Sequence, residues 1–329
     1  MIVADTVWWE GRLQTGLALR ADGSGVLPVD EIPVGSQWRR VPGTVMPGLV
    51  DAHVHSGLGD LAVVRAHGIS AVWDLGSTPA AVRALRDRPD LPRIRYAGPF
   101  MTAPGGYPSD RAWAPPGSCR EIRSAADAEA AVGEAEAGGA TLIKVTANAD
   151  GPVLAASTLE TLVDAAHGRG LPVVVHAEGP GMVAAAYAAV ADLLAHTPWT
   201  EAVDDGLIRA CAARMTWIST LDIHGWASRT PPPARAVAID NLRRFRAAGG
   251  IVRYGTDLGN GPLPAGINRR EVRALQAVGL TPAEILTAMT GSDQADPAWL
   301  PDGLELDPAR FAAVLATARV LGPELRPRP

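Results

Sequence analysis

The residues best suited to chemistry in this 329-residue chain are His53, His55, Lys144, His176, His196 and Asp257. His53-Val-His55 closes the strand-like run PGLVDAHVH. Side chains at i and i+2 of a strand point to the same side, so both imidazoles can reach one ion. Lys144, His176, His196 and Asp257 fall at or near the ends of four further strand-like runs: TLIKVTA, LPVVVHA, ADLLAH and IVRYGTD. Neutral imidazoles and a carboxylate suit zinc and related divalent ions such as manganese or cobalt. An ammonium does not. Lys144 is nevertheless the only lysine among the 30 basic residues, in an apolar run where an unpaired ammonium would be costly to bury. Reaction of its amine with CO2 would give a carbamate, a planar, carboxylate-like anion able to bridge two metals. Arginine cannot be converted in this way.

Such residues need a frame that brings strand ends together. Eight β-branched runs alternate with alanine-rich helical stretches: TVMPGLVDAH, ISAVWDLG, RIRYAGP, TLIKVTA, LPVVVHA, ADLLAH, MTWIST and IVRYGTD. Alternation of this kind predicts βα units around a parallel sheet. Eight units across some 250 residues predict a closed (β/α)8 TIM barrel, whose reactive side chains gather at the C-terminal ends of the strands. Several intervening helical stretches end in Gly, as helix C-termini commonly do. Residues 1–43 break the rhythm and read as short strands with turns at ADGSG and DEIPVGS. The expected organisation is therefore a small β-rich accessory domain from residues 1–43 and 300–329, and a barrel from 44–299. Within the tail, the periodicity of ARFAAVLATARVL does not decide between strand and helix. Two long Gly/Pro-rich loops, PFMTAPGGYPSDRAWAPPGS and DLGNGPLPAGINRR, would overhang the barrel mouth, where substrate selection usually resides.

Composition narrows the function. Hydrophobic residues make up 47% and charged residues 20%, which argues against disorder. The net charge of -5 offers no basic footprint for a phosphate backbone, so nucleic acid is not an expected partner. No apolar run approaches the roughly 20 residues needed to span a bilayer. Only Cys119 and Cys211 are present, and MIVADTVWWEGR has no basic region followed by an apolar stretch and a cleavage site. A cytoplasmic protein acting on a small molecule is expected, with self-association left open.

Taken in order, PGLVDAHVH, IKV, HAEGP, LLAH and GTD resemble the amidohydrolase superfamily over about residues 41–292. The likeness is greatest to its imidazolonepropionase-like and Xaa-Pro-dipeptidase-like branch, whose members read HA, then an alanine-rich helix, then a second His. The resemblance implies a binuclear centre, with zinc favoured, bridged by carbamylated Lys144 and a hydroxide. His53, His55 and Asp257 would bind one metal, His176 and His196 the other. Asp257 would accept the hydroxide proton during attack on an amide carbon and deliver it to the leaving group. The terminal segments would correspond to the family's small β-sandwich, here shortened. The chain departs from many relatives in reading Gly105-Gly106-Tyr107 where they read GGH, and in its blurred C-terminal strand.

Three further residues are candidate substrate contacts: Tyr107 for a carbonyl, Arg111 for a carboxylate, and His224 just past the seventh strand. His67 and His167 precede Gly at helix ends and read as structural. Glu178 reads as a helix-capping or solvated acid, or else the acid of an HxE pair. Asp51 and Asp74 read as orienting or turn-stabilising groups, Trp8 and Trp9 as packing, and Asp222 has no assigned role. The function expected is hydrolysis of an amide such as a dipeptide, N-acyl amino acid or cyclic amide. A lactonase or esterase on the same centre, a one-metal deaminase, and a non-catalytic small-molecule-binding barrel are the competing readings.

Overall fold

The computed structural model describes residues 1–225, 232–291 and 295–322. Eight strands form its centre: β1 (Leu49–Val54), β2 (Ile69–Asp74), β3 (Arg93–Tyr96), β4 (Ile143–Asn148), β5 (Val173–Glu178), β6 (Leu193–Leu194), β7 (Thr216–Ile218) and β8 (Ile251–Arg253). β1 to β3 pair in parallel, as do β4 to β8. Two seams join these arcs. Thr141 N donates to Tyr96 O at 2.8 Å between β3 and β4, and Ala52 N donates to Tyr254 O at 2.9 Å between β1 and the end of β8. The architecture is a (β/α)8 barrel.

Each strand is followed by a helix: α1 (Leu61–Ala66), α2 (Pro79–Leu85), α3 (Ala125–Ala137), α4 (Ala156–His167), α5 (Met182–Ala188), α6 (Asp205–Ala212), α7 (Pro232–Ala247) and α8 (Arg269–Val278). Asp60, Thr78, Ser124, Asp204 and Asn268 start five of them by accepting from first-turn amides. Helices cover the outer face, so β1, β2 and β4 are buried at every position. Period-two alternation places Ile143, Val145, Ala147, Val173, Val175 and Ala177 in the cluster packed under the helices. Lys144 and His176 alternate with them and face the barrel axis.

The run TVMPGLVDAH divides at Pro47-Gly48, and its first half, Thr44–Met46, joins a smaller sheet. That sheet also holds Thr6–Trp9, Arg12–Gln14, Ala298–Leu300 and Arg319–Val320. A second sheet contains Ile2–Val3, Leu17–Leu19, Val26–Pro28 and Arg39–Arg40. Ile2, Leu19, Val7, Val45 and Leu321 form a common core between the two, a small β-sandwich built from both ends of the chain. The undecided ARFAAVLATARVL run is helix α10 (Pro308–Leu315), after α9 (Pro282–Met289), and then the short strand Arg319–Val320. The deciding signal precedes the run: the Asp307 side chain accepts from two first-turn amides and Pro308 sits at the first helical position. Of the expected segments, residues 323–329 in the tail and 226–231 and 292–294 in the barrel lie outside the described residues. The long third loop is more ordered than its composition suggests, because Phe100–Thr102 pairs with Cys119–Glu121 and bridges to β4 at Met101 and Val145. Among the described residues no helix is long and apolar enough to cross a membrane.

Candidate metal centre

The site begins at the end of β1. His53 Nδ1 lies 2.8 Å from Ala195 O and His55 Nδ1 lies 3.1 Å from Gly76 O. A carbonyl only accepts, so each Nδ1 carries a proton, and a neutral ring then keeps its lone pair on Nε2. Both Nε2 atoms sit 3.1 Å from the same oxygen, Asp257 Oδ1. Burial holds His53 well below the usual imidazole value, so no imidazolium proton is available to bridge that contact. Burial opposes ionisation of Asp257 as well, and a positive charge beside the carboxyl favours it. His53 Nε2 and Asp257 Oδ1 therefore face each other as acceptors, with His55 Nε2 at the same oxygen. Among the described residues, His53 Nε2 and Asp257 Oδ1 are buried without a hydrogen-bond partner. Such a cluster is repulsive unless a cation lies among its members, and its donor chemistry is that of a divalent metal site.

Backbone geometry holds this half in place. Asp257 N donates to His53 O at 2.8 Å, and Asp257 adopts φ 61°, a left-handed conformation that Asp tolerates better than most residues. Asp51 accepts from His53 N at 3.1 Å, Thr256 N at 3.0 Å and Thr256 Oγ1 at 2.6 Å, so it fastens β1 to the segment bearing Asp257. Asp74 accepts from Ser56 N, Gly76 N and Ser77 Oγ, which fixes the turn that presents Gly76 O to His55. Only glycine fits there: φ is 136°, and a Cβ would meet Phe100 Cζ at 2.3 Å.

The second half is assembled from β4, β5 and β6. The His196 ring centroid lies 4.6 Å from that of His53 and 4.9 Å from that of His176. Ligand atoms of His53, His196 and Asp257 all fall within 4.8 Å of one another. His196 Nδ1 contacts Thr220 Oγ1 at 2.9 Å, and Thr220 takes φ 43°. His176 Nε2 donates to Glu178 Oε2 at 2.9 Å, leaving Nδ1 with the lone pair. Burial lowers both histidines, His196 strongly. Lys144 is 1% exposed, and burial pushes its amine down to about 7, countered by the Asp257 carboxylate. At that value an appreciable fraction is the uncharged amine, the form that reacts with CO2.

The six sequence-derived candidates thus line one cavity of about 600 Å³, together with Tyr107, Arg111 and His224. That size suits a small molecule. Tyr107 stacks on His176 at 5.0 Å and lies beneath the Arg111 guanidinium, 5.6 Å from its ring. Arg111 also contacts Asp110 at 3.4 Å and is 45% exposed, a mouth residue rather than a buried anchor. Glu178 neither caps a helix nor stands free, since it orients His176 and accepts from Asn148 Nδ2 at 2.8 Å. Asp222 acquires a role: it accepts from Asn268 Nδ2 and Arg270 Nε and so ties down the 3-10 turn Leu221–His224. His67 and His167 are structural, bonded to Val63 O and Asp192 Oδ2. Trp8 is core and Trp9 packs on the small sandwich.

Sequence reasoning missed Asn148, Trp199, Phe100, Trp113 and Asn260, all of which line the cavity. Asn148 was within reach, because the alternation that selects Lys144 continues through Thr146 to Asn148, opposite Glu178 in register. Trp199 offers no periodic signal, lying in the connection after His196.

The chain matches the Amidohydrolase family over residues 44–291. An uncharacterized protein of Mycobacterium tuberculosis (strain ATCC 25618 / H37Rv) is 30% identical over 278 residues, covering 75% of this chain and 72% of the relative. In fold the chain is similar to a Xaa-Pro dipeptidase with bound methionine in the active site (TM-score 0.76, 18% identity, 96% of each chain). It is also similar to A. niger ochratoxinase (TM-score 0.77, 19% identity, 95% of this chain and 91% of that one). The chain belongs to the amidohydrolase family, and the protein is a hydrolase.

Proposed function

We propose that the protein is a metal-dependent hydrolase that cleaves the C–N bond of a small amide, such as a dipeptide, N-acyl amino acid or cyclic amide. The observation that carries this reading is the convergence of His53 Nε2 and His55 Nε2 on Asp257 Oδ1, with His53 Nε2 and Asp257 Oδ1 buried and unpartnered among the described residues. His53, His55 and Asp257 would hold one divalent ion, zinc by donor preference, and His176 and His196 a second. Lys144, as its carbamate, would be common to both. Bound there, the ions supply Lewis acidity that polarises the scissile carbonyl and acidifies water.

The chain's own groups do the rest. With Oδ1 of Asp257 turned to two histidines, Oδ2 takes the proton released as water attacks. Asn260 Nδ2, 2.8 Å away, holds Oδ2 beside a cavity-lining residue. The same oxygen returns the proton to the leaving nitrogen. Burial raises the Tyr107 phenol above its ordinary value, so it stays protonated and can donate to the substrate carbonyl. Arg111 at the mouth can receive a carboxylate. The likeness to a Xaa-Pro dipeptidase and to ochratoxinase supports small amides as the first substrates to try.

The test is elemental analysis of purified protein joined to a screen of dipeptides, N-acyl amino acids, cyclic amides and lactones. The expected result is about two metal equivalents per chain and amide hydrolysis that a chelator abolishes and zinc restores. Undiminished turnover by fully metal-stripped protein would overturn the proposal, and lactone turnover without amide turnover would move it to an esterase.

A further inference from the structure

His224 is buried, lines the cavity, and has no hydrogen-bond partner on either ring nitrogen among the described residues. It differs in this from every other cavity histidine, each of which has at least one nitrogen bonded to a carbonyl, hydroxyl or carboxylate. An imidazole buried without partners loses the hydration of two polar atoms, and native interiors rarely leave such a loss uncompensated. Its position is fixed from behind: Asp222, two residues earlier, is anchored by Asn268 and Arg270, and Glu271 Oε2 accepts from Asp222 N at 2.6 Å. The indole of Trp199 lies 5.1 Å from the His224 ring, and 5.4 Å from His196 and 5.8 Å from His176. Trp199 therefore sits between the proposed metal ligands and His224, offering an apolar face along that path.

Resting on the function proposed above, we infer that Trp199 and His224 form a subsite for one flank of the substrate, and that this flank is a flat apolar group ending in an uncharged hydrogen-bonding function such as a hydroxyl. Three features set the chemistry. The planar indole favours a ring stacked on it or edge-on to it. A neutral imidazole has one donor and one acceptor nitrogen, and a hydroxyl, itself donor and acceptor, can engage either. Charge favours a neutral group, because the charges that act on His224 are of both signs, Asp257 and Glu178 against Arg235.

The experiment uses the metallated enzyme and a matched series: acetanilide, 4-hydroxyacetanilide and 4-acetamidobenzoate, with the corresponding phenylacetamides to cover the opposite orientation across the scissile bond. In at least one of the two sets, kcat/KM for the hydroxyl compound should exceed that of the bare ring by roughly tenfold, and the carboxylate should be poorest. In His224→Ala the hydroxyl-to-bare ratio should collapse toward one. His224→Gln, which retains a donor and an acceptor, should recover part of it. Calorimetric binding of the same compounds gives a readout independent of turnover. If no amide is cleaved but the hydroxyl preference in binding disappears with His224→Ala, the hydrolytic reading fails and the subsite stands. A hydroxyl preference that is absent from the wild type, or that survives in His224→Ala, overturns the subsite.

Discussion

Two clusters of largely buried polar side chains lie near the C-terminal ends of the barrel strands, and they are built on opposite terms. In one, His53 Nε2 and His55 Nε2 both lie 3.1 Å from Asp257 Oδ1, and His53 Nε2 and that oxygen have no hydrogen-bond partner among the described residues. In the other, Asp222, Asn268, Arg270 and Glu271 match donors to acceptors: Asn268 Nδ2 and Arg270 Nε reach Asp222 at 2.8 and 2.9 Å, and Asp222 N reaches Glu271. The matched cluster pairs Asp222 with donors on Asn268 and Arg270 and holds a turn in place. The acceptor cluster would be completed by a cation of the kind proposed above, since buried polar groups without partners cost a fold stability.

The largest effect should come from breaking the acceptor cluster. Asp257→Asn should lower kcat/KM by about three orders of magnitude, since it removes both a ligand charge and the proton acceptor. Thermal unfolding of the metal-free protein should be unchanged or shifted upward, because a buried, unpartnered carboxylate oxygen is replaced by part of a neutral amide. A clear loss of metal-free stability would mean that the cluster is structural, like its neighbour.

The matched cluster should respond in stability. Burial raises the Glu271 carboxyl from its ordinary 4.5 to about 7, so the folded state holds a proton that the unfolded chain releases. The stability this gives is fully present below about 4.5 and is lost as pH rises through about 7, a change on the order of 3 kcal/mol. Glu271→Gln should flatten that slope in denaturant titrations between pH 5 and 7, compared with wild type in the same metal state. An unchanged slope would show that Glu271 is ionised throughout. Asp222→Ala should cost about 2 kcal/mol, less than a fully enclosed pair because the Arg270 side chain is 52% exposed. Its metal content should be that of the wild type.

This contrast also explains what was legible in the chain. The acceptor cluster could be read from residue types because groups able to ligate a metal come from a short chemical menu, and strand periodicity places His53 with His55 and Lys144 on the axis-facing side. The eight strands could be read because a parallel sheet buried on both faces needs continuous apolar runs. The matched cluster could not. Asp222, Asn268 and Glu271 are ordinary polar residues whose pairing depends on tertiary neighbours 46 and 49 positions away. Nor could the split of TVMPGLVDAH between two sheets, since Pro47-Gly48 marks a break without saying which sheet each half joins. Trp199 stands in a connection whose course is set by packing, so neither period marks it.

Within the proposed metal centre a finer difference remains, and it yields the smallest effect. His53 and His55 are oriented by main-chain carbonyls, Ala195 O and Gly76 O, which no side-chain substitution removes. His176 is oriented by a side chain, Glu178, and His196 by the Thr220 hydroxyl. Removing an orienting partner typically weakens metal affinity by about tenfold to a hundredfold. Glu178→Ala should therefore release the ion assigned to His176 and His196 while the other stays. Dialysis against a weak chelator followed by elemental analysis should find a stoichiometry falling from about two toward about one. Simultaneous loss of both ions would show that the two halves bind as one unit, and undiminished retention of both would show that the Glu178 contact adds nothing to affinity.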